Sequence, residues 1–176
     1  MATPSAVEII QLERDSIRSF VESCAEYLTG RVLDFGAGKQ PYREIVERAG
    51  GEYVPHDLTG YPASISDADY PLLNGDQGSF DALLNTQMTQ YLRYDPILLF
   101  QGTFGRYLKP GGWLVMTGGT CWREIQTEDE LRLTVSGVHR RLVDAGFDVV
   151  RCESRASIDF PGGFSFSLGY GVLAHV

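Results

Sequence analysis

The segment 31–41, RVLDFGAGKQP, constrains the fold of this chain more than any other part of the sequence. Its apolar first half predicts a short buried strand, and its two glycines predict a tight turn. Pro41 suits the first turn of a helix. Gly36 and Gly38 let the backbone pass close to a ligand because they carry no Cβ. A strand, a glycine turn and a helix in this order are the usual cofactor site of an α/β protein.

The charge of Asp34 narrows the kind of ligand. This carboxylate lies two residues before the first glycine. It would repel a pyrophosphate and attract an ammonium group. The turn therefore favours a ligand that carries an amino acid, such as S-adenosylmethionine (SAM), over a dinucleotide.

The composition of the chain limits the classes of protein to which it can belong. The chain has 176 residues, enough for one domain, and its 43% hydrophobic and 22% charged residues are ordinary for a globular protein. The formal net charge of −8 argues against general nucleic-acid binding. There is no apolar run of membrane-spanning length and no signal-peptide pattern, so we expect a cytoplasmic protein without membrane contact. Cys24, Cys121 and Cys152 lack the spacing of a metal site, and we expect free thiols and no metal.

Periodicity and turn signals predict alternating helices and strands. The predicted helices cover 6–28, 41–49, 94–107 and 128–145. The predicted strands cover 31–35, 52–56, 62–66, 80–85, 113–117, 147–152 and 167–174, with a loop at 157–165. This order is typical of an α/β fold with a doubly wound, mainly parallel seven-stranded sheet and a C-terminal antiparallel hairpin. We expect one domain overall, with an N-terminal helix (1–29) covering the site and a ligand-binding part (30–176).

Polar residues follow the predicted strands at the edge where a doubly wound sheet binds its ligand. Asp57 ends strand two and could accept two ribose hydroxyls. Asp69, or Asp67 beside it, could accept an adenine amino proton, with the backbone N–H of Tyr70 serving a ring nitrogen. The segment Asn85-Thr86-Gln87 closes strand four, where a reacting group would project.

Three motifs, VLDFGAG (32–38), SFDALL (79–84) and LKPGGWL (108–114), resemble class I SAM-dependent methyltransferases in order and spacing. The likeness spans 30–150, and the segments 40–43 and 129–137 resemble small methyltransferases that act on metabolites or sugars. The resemblance implies SAM as cofactor and assigns its binding to the following residues: Asp34, Gly36, Ala37, Gly38, Asp57, Leu58, Asp69, Tyr70 and Asn85.

The chain departs from this family at three points. Gln40 stands where the third glycine of the turn is usual, and Gln90-Tyr91 replaces a frequent Glu-His after strand four. The helix between strands two and three is absent from the prediction. The second departure removes a common acid/base, and neither His56 nor His139 is a convincing substitute.

The resemblance implies transfer of a methyl group to an oxygen or nitrogen of a small molecule such as a metabolite, natural product or sugar. Gln87 and Tyr91 are expected to position the reacting groups, and Tyr42, Trp122 and Arg123 to contact the substrate. The chain has no room for a cap domain, so the acceptor pocket is either open or completed by a second subunit in a homodimer. No Asn/Asp-Pro-Pro-Tyr/Phe motif follows strand four, which argues against methylation of nucleic-acid bases.

Three alternatives to a small-molecule methyltransferase stay open. The chain could bind SAM without catalysis, or it could cyclise SAM's own side chain. An NAD-dependent oxidoreductase is disfavoured by the missing third glycine and by the charge of Asp34.

Overall fold

The computed structural model describes residues 4–57, 65–66, 76–91, 96–121, 131–160 and 163–176. Its α-helices are α1 (Ala6–Ser23), α2 (Arg43–Arg48), α3 (Pro96–Leu99), α4 (Gly105–Tyr107) and α5 (Val135–Asp144). Its strands are β1 (Gly30–Phe35), β2 (Gly51–Asp57), β3 (Ile65–Ser66), β4 (Phe80–Thr86), β5 (Leu108–Gly119), β6 (Asp148–Phe160) and β7 (Phe164–His175). Short 3-10 helices span Ala25–Tyr27 and Thr89–Tyr91, and a π-helical turn, Phe100–Phe104, joins α3 to α4.

The strands form one sheet in the order β3-β2-β1-β4-β5-β7-β6. Neighbours from β3 to β5 pair in parallel, and β7 is antiparallel to both β5 and β6. The predicted fold class is thus confirmed, with seven strands and one antiparallel C-terminal hairpin. The strand order reverses between β1 and β4, and this is where a doubly wound sheet opens a crevice for a ligand.

Helices cover both faces of the sheet because its strands carry apolar side chains on both faces. Phe20 and Val21 of α1 pack with Ile45 and Val46 of α2 on one face. The α3–α5 helices bury their apolar residues in a second cluster on the opposite face. In the part of the chain that the structure describes, no helix is both long enough and apolar enough to cross a bilayer.

The motifs SFDALL (79–84) and LKPGGWL (108–114) connect three strands at the end of the sheet away from the glycine turn. Asp81 of β4 accepts the backbone N–H of Arg31 at 2.8 Å and the ammonium of Lys109 at 2.6 Å. A Cβ on Gly30 would collide with the Asp81 side chain. Asp81 and Lys109 therefore fasten β1, β4 and β5 together and play no part at the candidate site.

Several predicted boundaries were wrong. The predicted loop at 157–165 is mostly strand, since β6 runs to Phe160 and β7 begins at Phe164. The first helix ends at Ser23, and Gly30 already belongs to β1. Residues 131–134 precede α5 without being helical, and β5 extends well beyond 113–117. The start of the predicted third strand, the segment between strands two and three, and residues 94–95 and 128–130 lie outside the described residues.

Candidate functional site

Asp34 is almost completely buried at the end of β1. The Tyr53 hydroxyl of β2 donates to its Oδ2. Its Oδ1 is also buried and has no hydrogen-bond partner among the described residues. Burial raises the pKa of Asp34 to about 7, with a further increase from Asp57, although the Tyr53 hydrogen bond acts in the opposite direction. The site therefore holds a buried carboxylate oxygen whose hydrogen-bonding capacity is unused among the described residues.

The glycine turn is tied to the end of β2. The backbone N–H groups of Gly36 and Ala37 both donate to the His56 carbonyl, at 2.9 and 3.0 Å. The Gly38 N–H donates to Asp57 Oδ2. Gly36 and Gly38 have φ values of +83° and +51°, which favour glycine, and a Cβ on Gly38 would meet nothing within 4 Å. The turn is thus fixed by β2 while space stays open beside its second glycine.

Gln40 occupies the position of the missing third glycine and has a φ of +59°. The Arg43 side chain donates to Gln40 Oε1 from Nε at 2.9 Å and from Nη2 at 2.6 Å. These two charge-assisted bonds offset the cost of a left-handed conformation at a residue other than glycine. The turn therefore has a backbone conformation typical of glycine although residue 40 is glutamine.

Asn85 of β4 closes the turn from the other side. Its Nδ2 donates to the Phe35 carbonyl at 2.8 Å. Its Oδ1 is buried and finds no partner in the described part of the chain. Met88 fills the space over Gly36, where a Cβ would lie 2.7 Å from the methionine sulfur. Asp34, Gly36, Ala37, Gly38, Asp57 and Asn85 are all brought together at the carboxyl ends of β1, β2 and β4.

Tyr42, predicted to contact substrate, lies near enough to Asp34 for the carboxylate charge to act on its hydroxyl. Burial, aided by the nearby Asp34 charge, raises the pKa of Tyr42 to about 12, while the Thr86 side chain acts on that pKa in the opposite direction. Thr86 is followed directly by Gln87, which lines a neighbouring pocket. The residues gathered around Asp34 and the pocket that Gln87 lines are therefore neighbours at the end of β4.

The pocket, of about 180 Å³, lies between α1 and the segment after β4. The two walls contribute Ile10, Glu13 and Arg14 from α1, and Gln87, Gln90 and Tyr91 from the other side. Gly119 at the end of β5 and Arg132 complete its described lining. A Cβ on Gly119 would lie 2.8 Å from Arg132 Nη1, so the glycine leaves room for the guanidinium. Both residues predicted to position the reaction, Gln87 and Tyr91, face this pocket.

Gln87 and Gln90, which both line the pocket, are conformationally constrained. Gln87 has a φ of +55°, an uncommon conformation that recurs at functional sites. Gln90 Nε2 donates to the Gln87 carbonyl at 2.7 Å, which orients the Gln90 amide. Gln87 Nε2 and Gln90 Oε1 are buried, and the described residues offer neither of them a partner.

A buried ion pair supports the α1 wall. Arg155 Nη2 lies 3.0 Å from Glu13 Oε1, and the two side chains are 2% and 12% exposed. Arg155 also donates to Ser16 Oγ at 2.7 Å and to the Tyr170 carbonyl at 2.9 Å. A Cβ on Gly169 would collide with the guanidinium. Glu13 Oε2, the other carboxylate oxygen, is buried and has no hydrogen-bond partner within the described ranges.

Glu13, Arg155 and Arg132 were not among the residues predicted for the site. A signal for Glu13 was present, because it stands three residues after Ile10 and four before Ile17, on the apolar stripe of α1. A carboxylate on a buried stripe needs a partner. Arg155 gave no signal, because it lies beyond the predicted end of its strand.

Other predicted positions are not described. Leu58, Asp67, Asp69, Tyr70, Trp122 and Arg123 lie outside the described residues. Within those residues, no group of three or more His, Cys, Asp or Glu side chains is arranged to hold a metal ion.

No protein-family model and no curated protein matches this sequence. Solved structures do match its fold. A SAM-dependent methyltransferase from Archaeoglobus fulgidus is 16% identical with a TM-score of 0.70, and the match covers 98% of this chain and 100% of that one. One from Aquifex aeolicus is 18% identical with a TM-score of 0.62 (99% and 100% covered), and one from Mesorhizobium loti is 18% identical with a TM-score of 0.65 (94% and 98% covered). The chain therefore has the fold of class I SAM-dependent methyltransferases.

Proposed function

We propose that this protein is a SAM-dependent methyltransferase that acts on an oxygen or nitrogen of a small molecule. The observation that carries the proposal is the buried Oδ1 of Asp34, which has no hydrogen-bond partner among the described residues and lies beside a glycine turn that Asp57 and Asn85 anchor. An ammonium group is the complement of that oxygen, and SAM carries one on its amino-acid end.

The described residues fit such a cofactor. Asp34 Oδ1 and Asn85 Oδ1 are both buried acceptors without a partner among the described residues. Gly38 has open space where a Cβ would be. Asp34 and the 36–38 backbone would hold the amino-acid end, and Asp57, at the end of β2, would lie toward the ribose. Leu58, Asp69 and Tyr70 belong to the same proposal on the sequence argument alone.

When bound, SAM would supply a methyl group activated by a sulfonium. The contribution of the chain is to hold an acceptor in line with that group and to keep water out, since alignment alone can lower a barrier by several kcal/mol. Gln87 and Tyr91 would do this from the end of β4, opposite α1. Trp122 and Arg123 are proposed to contact the acceptor from the segment after β5.

The pocket supports a small acceptor. Its described part measures about 180 Å³. Pockets that enclose drug-sized ligands are usually about 300–1,000 Å³. The formal net charge of −8 gives no support to a polyanionic substrate such as nucleic acid.

The test combines binding with product analysis. Calorimetry with SAM and with NAD should give a binding heat for SAM alone. Mass spectrometry after incubation with SAM and mixed acceptors should then show S-adenosylhomocysteine and a methylated acceptor. Methylthioadenosine would instead indicate cyclisation of SAM, and binding without any product would indicate a non-catalytic protein. Absence of SAM binding would refute the proposal.

A further inference from the structure

Three residues that line the pocket beside α1 each carry a buried polar atom whose hydrogen-bonding capacity is unused among the described residues. Glu13 Oε2 and Gln90 Oε1 are acceptors, and Gln87 Nε2 is a donor. All three belong to residues that line the pocket, and each is buried without a partner in the described part of the chain. Unsatisfied buried groups are uncommon in native proteins, and three around one pocket indicate a polar ligand.

Glu13 is the charged member of this group and is held rigidly. Arg155 fixes its Oε1, and Ser16 and the Tyr170 carbonyl fix Arg155 in turn. The carboxylate therefore cannot turn its second oxygen away without breaking a buried ion pair. A preorganised acceptor of this kind discriminates strongly in favour of a ligand that carries a matching donor.

Gln90 makes the preference for donors stronger. Its Nε2 is committed to the Gln87 carbonyl, so the amide presents Oε1 as its remaining group. Two of the residues that line the pocket thus each carry an unused hydrogen-bond acceptor, one of them charged, within the described residues. A hydroxyl or a primary or secondary amide satisfies them, whereas an ether or a tertiary amide leaves them unpaired.

We propose that Glu13 is the acceptor-binding residue, and that its Oε2 receives the O–H or N–H hydrogen of a small polar molecule seated in the pocket. Arg155 is a positioning residue that aims Glu13. Describing that molecule as the methyl acceptor rests on the proposed function. The preference for a donor-bearing molecule does not, because it follows from the pocket alone.

Glu13→Gln is the informative variant. The glutamine oxygen can still accept from Arg155, which leaves an NH₂ group where Oε2 was. The pocket would then present a donor at that point, and its preference should move toward acceptor-bearing molecules. Asp15→Asn, an exposed acid-to-amide change on the same helix, is the matched control. Ile10→Trp fills the pocket from a half-exposed position and leaves the ion pair intact.

The measurement is ligand-observed NMR on the full chain without cofactor. The probes are uncharged fragments in which each hydroxyl or primary amide is paired with its methyl ether or N,N-dimethylamide analogue. We expect the donor-bearing member of a pair to bind about tenfold more tightly to the wild type and to Asp15→Asn. The preference should vanish or reverse in Glu13→Gln, and Ile10→Trp should abolish binding of both members.

Equal binding of both members to the wild type would overturn the inference, as would a preference that survives Glu13→Gln or an absence of fragment binding. If Glu13→Gln fails to fold, Gln90→Met replaces it, and the preference should then fall for fragments with two adjacent donors. Calorimetry with SAM on the same wild-type sample tests the proposed function separately. A chain that fails to bind SAM but keeps a Glu13-dependent donor preference would refute the proposed function and support this inference.

Discussion

At the scale of single residues, the burial of Asp34 has a consequence for stability. Its pKa is about 7 in the folded chain, against an ordinary value of 3.8, because burial disfavours the charged form. Between these values the folded state binds more protons than the unfolded state. The free energy of unfolding should therefore fall as pH rises from about 4 to about 7, and this contribution should level off above pH 7.

Asp34→Asn tests this dependence. Asparagine keeps an oxygen for the Tyr53 hydroxyl but cannot ionise. We expect the difference in unfolding free energy between wild type and Asp34→Asn to change across that window by an amount on the order of 4 kcal/mol, since each pKa unit corresponds to about 1.4 kcal/mol. Urea unfolding at stepped pH measures it. If the difference in unfolding free energy between the two proteins does not change with pH, the raised pKa that burial gives Asp34 is contradicted.

The turn glycine gives a second test. A Cβ on Gly36 would lie 2.7 Å from the Met88 sulfur, at a φ of +83°. Gly36→Ala should therefore lower the free energy of unfolding by about 2 kcal/mol, from strain and from displacement of Met88. Thermal or urea unfolding measures the loss.

Gly102→Ala is the matched control for Gly36→Ala. Gly102 lies in the π-helical turn, and a Cβ there would meet nothing within 4 Å. That change should be neutral or stabilising by about 0.5–1 kcal/mol. Equal effects of the two alanines would mean that the turn does not require glycine.

Site residues within a local motif could be predicted from the sequence, whereas those brought together only by the tertiary fold could not. Asp34, Gly36 and Asp57 could be placed because a strand end and a glycine turn fix their surroundings locally. Glu13 and Arg155 are 142 residues apart, and only the tertiary fold brings them together. The signal of Glu13, a carboxylate on an apolar stripe, does not identify its partner, and Arg155 lies beyond the predicted end of its strand.

At the scale of elements, α1 forms the wall that bears Glu13, and its first turn is set by a capping box. Glu8 N–H donates to Ser5 Oγ at 3.3 Å, and Ser5 N–H donates to Glu8 Oε2 at 2.7 Å. Ser5→Ala should lower the free energy of unfolding by about 1 kcal/mol, because an N-cap serine satisfies a donor at the helix start. Chemical denaturation checks the value.

Ser19→Ala, at an exposed position in the middle of α1, is the control for Ser5→Ala. Alanine is the better helix former there, so this change should leave stability unchanged or slightly raised. Ser5→Ala behaving like Ser19→Ala would mean that the cap does not stabilise α1.

The C-terminal hairpin shows where element boundaries escaped prediction. The glycines and proline of 161–163 are turn signals, and the predicted loop extended them in both directions. In the structure Ser157 pairs with Ser167 and Ile158 with Phe166. Such cross-strand pairing is a property of two segments together and cannot be inferred from either one. It also places Arg155 within β6, opposite Gly169, from which it reaches Glu13.

At the scale of the whole molecule, the sheet order explains why distant residues meet. β1 and β4 are adjacent at the centre of the sheet. Asp34 and Asn85 therefore lie together near the carboxyl ends of these strands, and Asp81 lies toward their amino ends. The alternation of helices and strands predicted this class of sheet, because consecutive βα units have few ways to pack. It did not predict which face α1 covers, and this determines where the pocket forms.

The most direct measurement of the central claim is calorimetric titration of SAM at pH 8 into wild type, Asp34→Asn and Asp15→Asn. If Asp34 pairs with the ammonium of SAM, the asparagine variant should bind at least about tenfold more weakly, since a hydrogen bond to a charged group contributes about 1.5–3 kcal/mol. Asp15→Asn should bind as the wild type does. Wild-type affinity in Asp34→Asn, or no binding to the wild type, would contradict the account.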